Sequence, residues 1–290
     1  MSASSDFVDM SKQLYDLELD YWRSHILYWL SRKFDVIYKG GSTLSKVFHI
    51  SNRQSKDMDL KLIPKKNNFM DLELKYHMPQ NKKEREKYFA AVFEHTKRLI
   101  PFVVVEKIKN ELDTECETCV FLVKFESQVR NLEGGEIYID IGLDEHNCVV
   151  TRDVRSVIHQ LNKCPKIEID CVHPLETLLE KMDAIVKRRK VTDIPLDRYI
   201  RHFYDCNVII ENEEKLDPLP KVYTIQNLFE AKVDKKHIQK FSYKSFEEMS
   251  LTLEEKTMFE TIKDEHDSSA MNLDTCLTNI ITWLKKNIAE

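Results

Sequence analysis

The chain has 290 residues, of which 42% are hydrophobic and 32% charged, enough for one large domain or two modest ones around a sizeable core. Its formal net charge of −5 excludes a protein that coats a duplex through overall positive charge, because phosphate neutralisation supplies most of that affinity. Any nucleic-acid contact must come from a local patch. Seven scattered cysteines make no disulfide framework, the polar and acidic start is unlike a signal peptide, and no apolar run is long enough to cross a bilayer. The expectation is a cytoplasmic protein with no membrane partner.

Taken in chain order, residues 5–33 place Leu14, Leu17, Tyr21, Trp22, Ile26, Leu27 and Leu30 at helical spacing, which predicts a long amphipathic helix. DVIYK (35–39) reads as a short buried strand running into Gly40-Gly41, STLSKVFHI (42–50) as a helix, and KDMDLKLI (56–63) alternates as a strand does. A Lys/Glu-rich helix is expected around 80–100, ending at Pro101. CVFLVKFES and EIYIDIGL flank NLEGG and predict a hairpin, and KIEIDCV (166–172) reads as a further strand. Cys116 and Cys119 form a C-x-x-C, but no second such pair follows to complete a zinc site, so they read as the approach to a strand.

After Pro174 the pattern becomes helical. PLETLLEKMDAIVKRRKV and LDRYIRHFYDCNVII are amphipathic, with Pro174, Thr177, Pro195 and Asp197 as helix-start residues. The expected organisation is an α/β domain over 1–170 and a helical domain over 171–290.

Two segments carry chemistry. In KGGSTLSK (39–46), a strand ending in Gly40-Gly41-Ser42-Thr43 and turning into a helix gathers backbone N–H groups, and Lys39 and Lys46 add charge. Such a turn suits a triphosphate, although the spacing is not that of a Walker loop. In SKDMDL (55–60), Asp57 and Asp59 stand two apart on a strand and so share a face. Paired carboxylates repel unless a cation lies between them, and two divalent ions about 3.5–4 Å apart would clamp a transferring phosphoryl group. Asp140, in EIYIDIGL, is the candidate third acid; Glu136 and Asp144 are less well placed. Farther on, Lys181 and Arg188 fall seven apart on one helical face, within reach of a triphosphate, and Arg201, His202 and Asp205 follow about one turn apart. A histidine at such a position is usually structural. Lys232–Lys240 and Lys285-Lys286 either dock the acceptor or complete the fold.

In order and spacing, YKGGSTLSKVFHI, RQSKDMDLKL, HPLETLLEKMDAIVKRR and RYIRHFYD resemble the AbiEii-type nucleotidyltransferases, a branch of the DNA polymerase β-like superfamily that includes toxins of abortive-infection and toxin–antitoxin systems. The resemblance covers about residues 30–210. It implies an α+β fold, a nucleotidyltransferase-type mixed sheet with flanking helices followed by a helical carboxy-terminal half. It implies that Ser42 and the glycine turn grip phosphates, that Asp57 and Asp59 hold Mg²⁺ (or Mn²⁺), that Lys181 contacts the triphosphate, and that Asp205 assists nearby; Asp140 stays the candidate third metal ligand from the strand pattern alone. The implied reaction is attack of an acceptor hydroxyl on the α-phosphate of an NTP, ATP among them, with release of pyrophosphate. Relatives that extend tRNA 3′ ends make tRNA the implied acceptor and a cognate antitoxin the implied partner. Two departures stand out: Ser42-Thr43 reverses the commoner order, and Lys56 replaces a frequent acid, which would weaken metal affinity or alter nucleotide choice. Two alternatives remain open at this point: nucleotidylation of a protein or small molecule by the same site, and a nucleotide-binding protein of this fold without turnover.

Overall fold

The computed structural model describes residues 3–53, 57–64, 78–108, 113, 115–129, 134–143, 148–156, 167–189, 195–264 and 271–289. The chain divides into two compact units. The first comprises Met1–Ser42, Lys56–Glu145 and Thr151–Cys171; the second comprises Thr43–Ser55, His146–Val150 and Val172–Glu290. The division at Val172 falls beside the sequence-based boundary, while two short stretches of the amino-terminal half, around 43–55 and 146–150, pack with the helical unit.

The first unit is built on a seven-stranded mixed sheet. Its strands are β1 (Asp35–Lys39), β2 (Asp57–Ile63), β3 (Val103–Ile108), β4 (Thr118–Phe125), β5 (Gly135–Leu143), β6 (Val149–Val154) and β7 (Ile167–Val172), in the spatial order β3-β4-β5-β2-β1-β7-β6. The predicted hairpin is present as the antiparallel β4–β5 pair. β1 runs antiparallel to β2 and parallel to β7, and β2 runs parallel to β5. The mixed sheet with flanking helices is the α+β class expected. β3 and β6 are additions: PFVVV reads in sequence as a bare apolar run, and VVTRDV lacks the apolar–polar alternation of a half-buried strand.

Alternation on the central strands sorts the sheet into two faces. Tyr38, Met58, Leu60, Leu62, Ile137, Ile139 and Ile141 are buried, whereas Asp57, Asp59, Lys61 and Asp140 are only partly so. Helix α1 (Ala3–Lys33) buries Ile26, Leu27 and Leu30, and its Trp22 stacks on Phe125 with ring centroids 5.0 Å apart. Helix α3 (Lys82–Leu99) starts at Asn81, whose side chain accepts from the Glu84 N–H at 3.0 Å while Glu84 reaches back to the Gln80 N–H at 2.8 Å. Asn81→Ala is expected to cost about 1 kcal/mol of stability, read as a lower urea midpoint with an unchanged slope; no shift would mean that this end of the helix is held by packing alone.

Between β1 and β2 lies the short helix α2 (Gly41–Lys46). The sequence predicts helix through residue 50; it stops four residues earlier because His49 takes a left-handed conformation (φ 52°) and the Ile50 N–H donates to the Leu44 carbonyl at 2.9 Å. Histidine is among the residues that tolerate this region.

The second unit is helical, as the sequence predicts. It contains α4 (Pro174–Arg188), α5 (Leu196–Glu211), α6 (Ile225–Asp234), α7 (Lys244–Glu247), α8 (Leu253–Asp264) and α9 (Leu273–Asn287). Pro174 occupies the first turn of α4, where its missing N–H costs nothing, and His173 is the cap, its Nδ1 accepting from the Leu175 N–H at 3.1 Å. Leu178, Leu179, Met182 and Ile185 of α4 meet Ile200, Phe203, Cys206 and Ile209 of α5 in a core that also takes in Phe246, Phe259, Ile280 and Trp283. A polar contact is enclosed in this packing. Lys232 is fully buried and gives its ammonium to Glu176 at 2.8 Å and Glu180 at 2.9 Å, and Glu176 also accepts the Cys148 N–H at 2.7 Å. Lys232 therefore completes the fold and cannot dock an acceptor, which corrects one of the two roles considered for its basic stretch. Lys285 likewise pairs with Glu247 at 2.5 Å. No described helix is long and apolar enough to cross a membrane.

Candidate active site

The acidic residues of the first unit meet through strand register. Parallel pairing of β2 with β5 sets Asp59 beside Asp140 and Asp57 beside Tyr138, while antiparallel pairing of β1 with β2 sets Lys39 beside Asp59. Residues paired across a sheet point to the same face, as do residues two apart on a strand. Asp57, Asp59 and Asp140 therefore share the partly exposed face with Lys39 and Lys61. Their mutual repulsion is visible at Asp140: burial first, then Asp59 and Asp57, push its carboxyl up to about 6, against the opposing pull of Lys61 and Lys39.

Gly40 closes the other side of Asp59. Its φ of +77° is left-handed, and a Cβ placed there would lie 2.1 Å from the Asp59 Oδ2, so the backbone of the turn approaches the carboxylate in a way only glycine permits. Gly40→Ala must strain the turn and displace Asp59. It is expected to lower transfer activity by roughly 100-fold, the scale of a misplacement of about 1 Å. Equal rates for variant and wild type would show that the bend does not hold Asp59 in its working position.

The other residues of the turn are placed as follows. Ser42 and Thr43 are buried, and the Ser42 hydroxyl donates to the Lys39 carbonyl at 3.4 Å. Gly41 is buried, and Lys46 is partly exposed in the last turn of α2. Of the residues set aside in sequence, Glu136 is exposed on β5, and Asp144 and Lys56 lie outside the described residues.

The metal implied by the resemblance can be tested against this donor set. All three groups are carboxylates, partly accessible and mutually repelling, and the Gly40 cradle leaves Asp59 room that a side chain would fill. Oxygen-only donors of this kind fit a hard divalent cation. Among the described residues no group of three or more histidines, cysteines or carboxylates stands as a ready metal cage; the strands offer a row of donors instead.

The second unit holds a charged cluster of its own residues. Asp205 on α5 is buried and accepts a forked pair from Arg53, Nη2 donating to both carboxylate oxygens at 2.9 and 3.0 Å and Nε donating at 3.1 Å. Lys181 on α4 gives its Nζ to the same carboxylate at 2.7 Å. Burial alone would raise the Asp205 carboxyl; Arg53 and Lys181 overcome this and hold it at about 2. Arg188, one face-repeat beyond Lys181, donates through Nη1 to the His202 Nε2 at 2.7 Å and to the Arg198 carbonyl at 3.3 Å. Arg201 pairs with Asp197 instead. Arg53 has no visible role in the sequence: it opens the segment RQSKDMDLKL, but spacing alone does not show a partner 152 residues away. In the sequence His202 stands only as a polar residue one turn from Asp205 and Lys232 only as one cation of a basic stretch.

A mixed sheet whose central strands line up aspartates beside a glycine bend supplies the oxygen donors that metal-assisted phosphoryl chemistry uses, and the family match makes the chain a nucleotidyltransferase. The chain belongs to the AbiEii family, described as nucleotidyl transferase AbiEii toxin, type IV toxin–antitoxin system, whose family model matches residues 35–279. No curated protein matches the chain by sequence. Among solved structures, it is similar to MenT4, a nucleotidyltransferase toxin from Mycobacterium tuberculosis H37Rv, with a TM-score of 0.39 and 14% identity over 92% of this chain and 94% of that one.

Proposed function

We propose that this nucleotidyltransferase is Mg²⁺-dependent and moves a nucleoside monophosphate from an NTP to the 3′ end of tRNA, with a cognate antitoxin as its partner. The observation that carries the metal is the register of β2 against β5, which places Asp59 beside Asp140 with Asp57 two residues along the same face. Asp57, Asp59 and Asp140 would hold Mg²⁺, which when bound neutralises developing charge on the phosphates and lowers the pKa of the attacking hydroxyl. The protein's own groups then orient reactants. Gly40 fixes where Asp59 stands, and Asp140, whose carboxyl retains a proton up to about pH 6 in the metal-free protein, is ionised at neutral pH and available as a ligand or as acceptor of the hydroxyl proton. In-line attack forms the new phosphodiester bond and releases pyrophosphate.

The acceptor rests on the family resemblance, and the antitoxin on the type IV toxin–antitoxin description of the family. The test is incubation of the full chain with each labelled NTP, tRNA and Mg²⁺, with and without a chelator. Label on the tRNA 3′ end, lost with the chelator, is expected. Absence of label for all four nucleotides refutes the proposal. Label on polypeptide or on a soluble product refutes the tRNA assignment and identifies a different acceptor for the same chemistry.

A further inference from the structure

The charged cluster of the second unit contains more cation than its partners balance. Arg53, Lys181 and Arg188 surround His202 with Asp205 as the one carboxylate among the described groups that act on it. Arg53 and Lys181 are both committed to Asp205, at 2.9 and 2.7 Å. Arg188 has no carboxylate among its described partners: it donates to a ring nitrogen and a carbonyl. Arg53 is buried and Lys181 and Arg188 are half-buried, so this surplus positive charge at the edge of the unit suits an anion.

The tautomer of His202 follows from chemistry alone. A guanidinium can only donate, so the Nε2 that lies 2.7 Å from Arg188 must be the unprotonated nitrogen, and the ring hydrogen is on Nδ1. An imidazolium would set two cations against each other. Burial, then Lys181 and Arg188, accordingly push His202 well below its ordinary titration range, with Asp205 opposing. The Nδ1–H is sealed from solvent and has no hydrogen-bond partner among the described residues. An orphaned buried donor is costly, and here it sits in a cluster with surplus positive charge. The two facts are independent, and both ask for the same thing, a negatively charged oxygen.

We propose that His202 is a neutral anion-binding donor, locked as its Nδ1–H tautomer by Arg188, which offers that hydrogen to an oxygen of a diphosphate group. This deepens the proposed nucleotide transfer, on which it rests for the identity of the ligand: a diphosphate is both the tail of the NTP and the pyrophosphate released. The geometry also separates His202 from Lys181 and Asp205. Those two neutralise each other, whereas the His202–Arg188 couple keeps both a donor and a charge for the ligand.

Substitution distinguishes this from a structural role because the two ring nitrogens have different mimics. An asparagine amide places its nitrogen near the position of Nδ1, and a glutamine amide reaches the position of Nε2. Binding of inorganic pyrophosphate to the full chain is measured by calorimetry at pH 7.5. His202→Asn is expected to stay within about threefold of wild type, and His202→Gln to weaken binding by roughly 10- to 100-fold, the scale of a hydrogen bond to a charged group. Equal weakening in both variants, rescue by glutamine instead of asparagine, or no change in either would overturn the assignment. So would failure of pyrophosphate to bind while a 5′-hydroxyl RNA oligonucleotide does, which would move the contact to a nucleic-acid backbone. The wild-type protein supplies a second reading that needs no variant to fold: ¹⁵N-histidine NMR at pH 7 should show His202 protonated on Nδ1 alone, and an Nε2–H tautomer or an imidazolium would sink the idea. A wild type that binds pyrophosphate through His202 but transfers no nucleotide would defeat the proposed function and leave this inference standing; transfer without any His202 effect on binding would do the reverse.

Discussion

Asp59→Ala is expected to lower nucleotide transfer by at least ~1,000-fold while leaving the fold intact. Asp59 sits at the centre of the row: Lys39 is its register partner on β1, Asp140 its register partner on β5, and Gly40 packs so closely that an added Cβ would fall 2.1 Å from its carboxylate. Removing it empties the centre of the row, where no neighbour can substitute. Stability should not suffer, because Asp59 is the main like-charged group pressing on Asp140, and its loss relieves a repulsion. Asp57→Ala should also abolish transfer, whereas Glu136→Ala, exposed on the same strand as Asp140, should leave the rate unchanged and serves as the control. The check is initial-rate transfer of labelled nucleotide with the urea midpoint measured alongside. An Asp59→Ala protein that retains a tenth of wild-type activity would show that the chemistry lies elsewhere.

The residues legible in sequence were those whose role is local. Period-2 alternation exposes the pairing of Asp57 with Asp59 on one face, and DVIYK running into Gly40-Gly41 marks β1 and its turn to within a residue. Asp140 was reachable as an acid on a well-patterned strand, but nothing in the letters places it opposite Asp59 instead of Asp57; that needs the β2–β5 parallel register, a contact between segments about eighty residues apart. β3 and β6 escaped because edge strands of a mixed sheet need not alternate cleanly, and β3 and β6 are the two ends of the strand order. In the helical unit, amphipathic stripes reveal which faces of α4 and α5 are buried, but charge patterning misleads. Lys232 reads as one cation in a solvated basic stretch and is instead enclosed between Glu176 and Glu180, since a long side chain can reach a buried carboxylate that no spacing rule foretells. Lys181, read as a group for the phosphates, gives its ammonium to Asp205, and the guanidinium that shares that carboxylate comes from a segment on the far side of the sheet sequence.

Asp205→Ala is expected to be the most destabilising substitution in the second unit, at about 3–5 kcal/mol, because it leaves two cations buried without their counter-charge. The carboxylate is fully enclosed and satisfies Arg53 through a forked contact and Lys181 through its ammonium, so the loss includes the desolvation of both partners. Asparagine keeps the shape and not the charge, and should recover little of the loss. Lys181→Met should cost less than either, since the forked Arg53 contact remains to neutralise Asp205. Acid should reproduce the effect in the wild type, and its sign follows from proton uptake. An unfolded aspartate takes up its proton near pH 4, but in the folded chain Asp205 holds out to about 2. Between these values the unfolded state binds more protons, so stability falls as pH falls; the contribution is complete above about pH 4 and gone below about 2, roughly 2–3 kcal/mol in all. Urea unfolding of wild type and Asp205→Asn across pH 2–6 tests both parts. The stability gap between them should be widest at pH 5–6 and narrow through pH 4 to 2. A gap that stays constant across that range would mean that the charge of Asp205 does not hold this cluster together, and a gap below about 1 kcal/mol at pH 6 would reduce it to an ordinary polar contact.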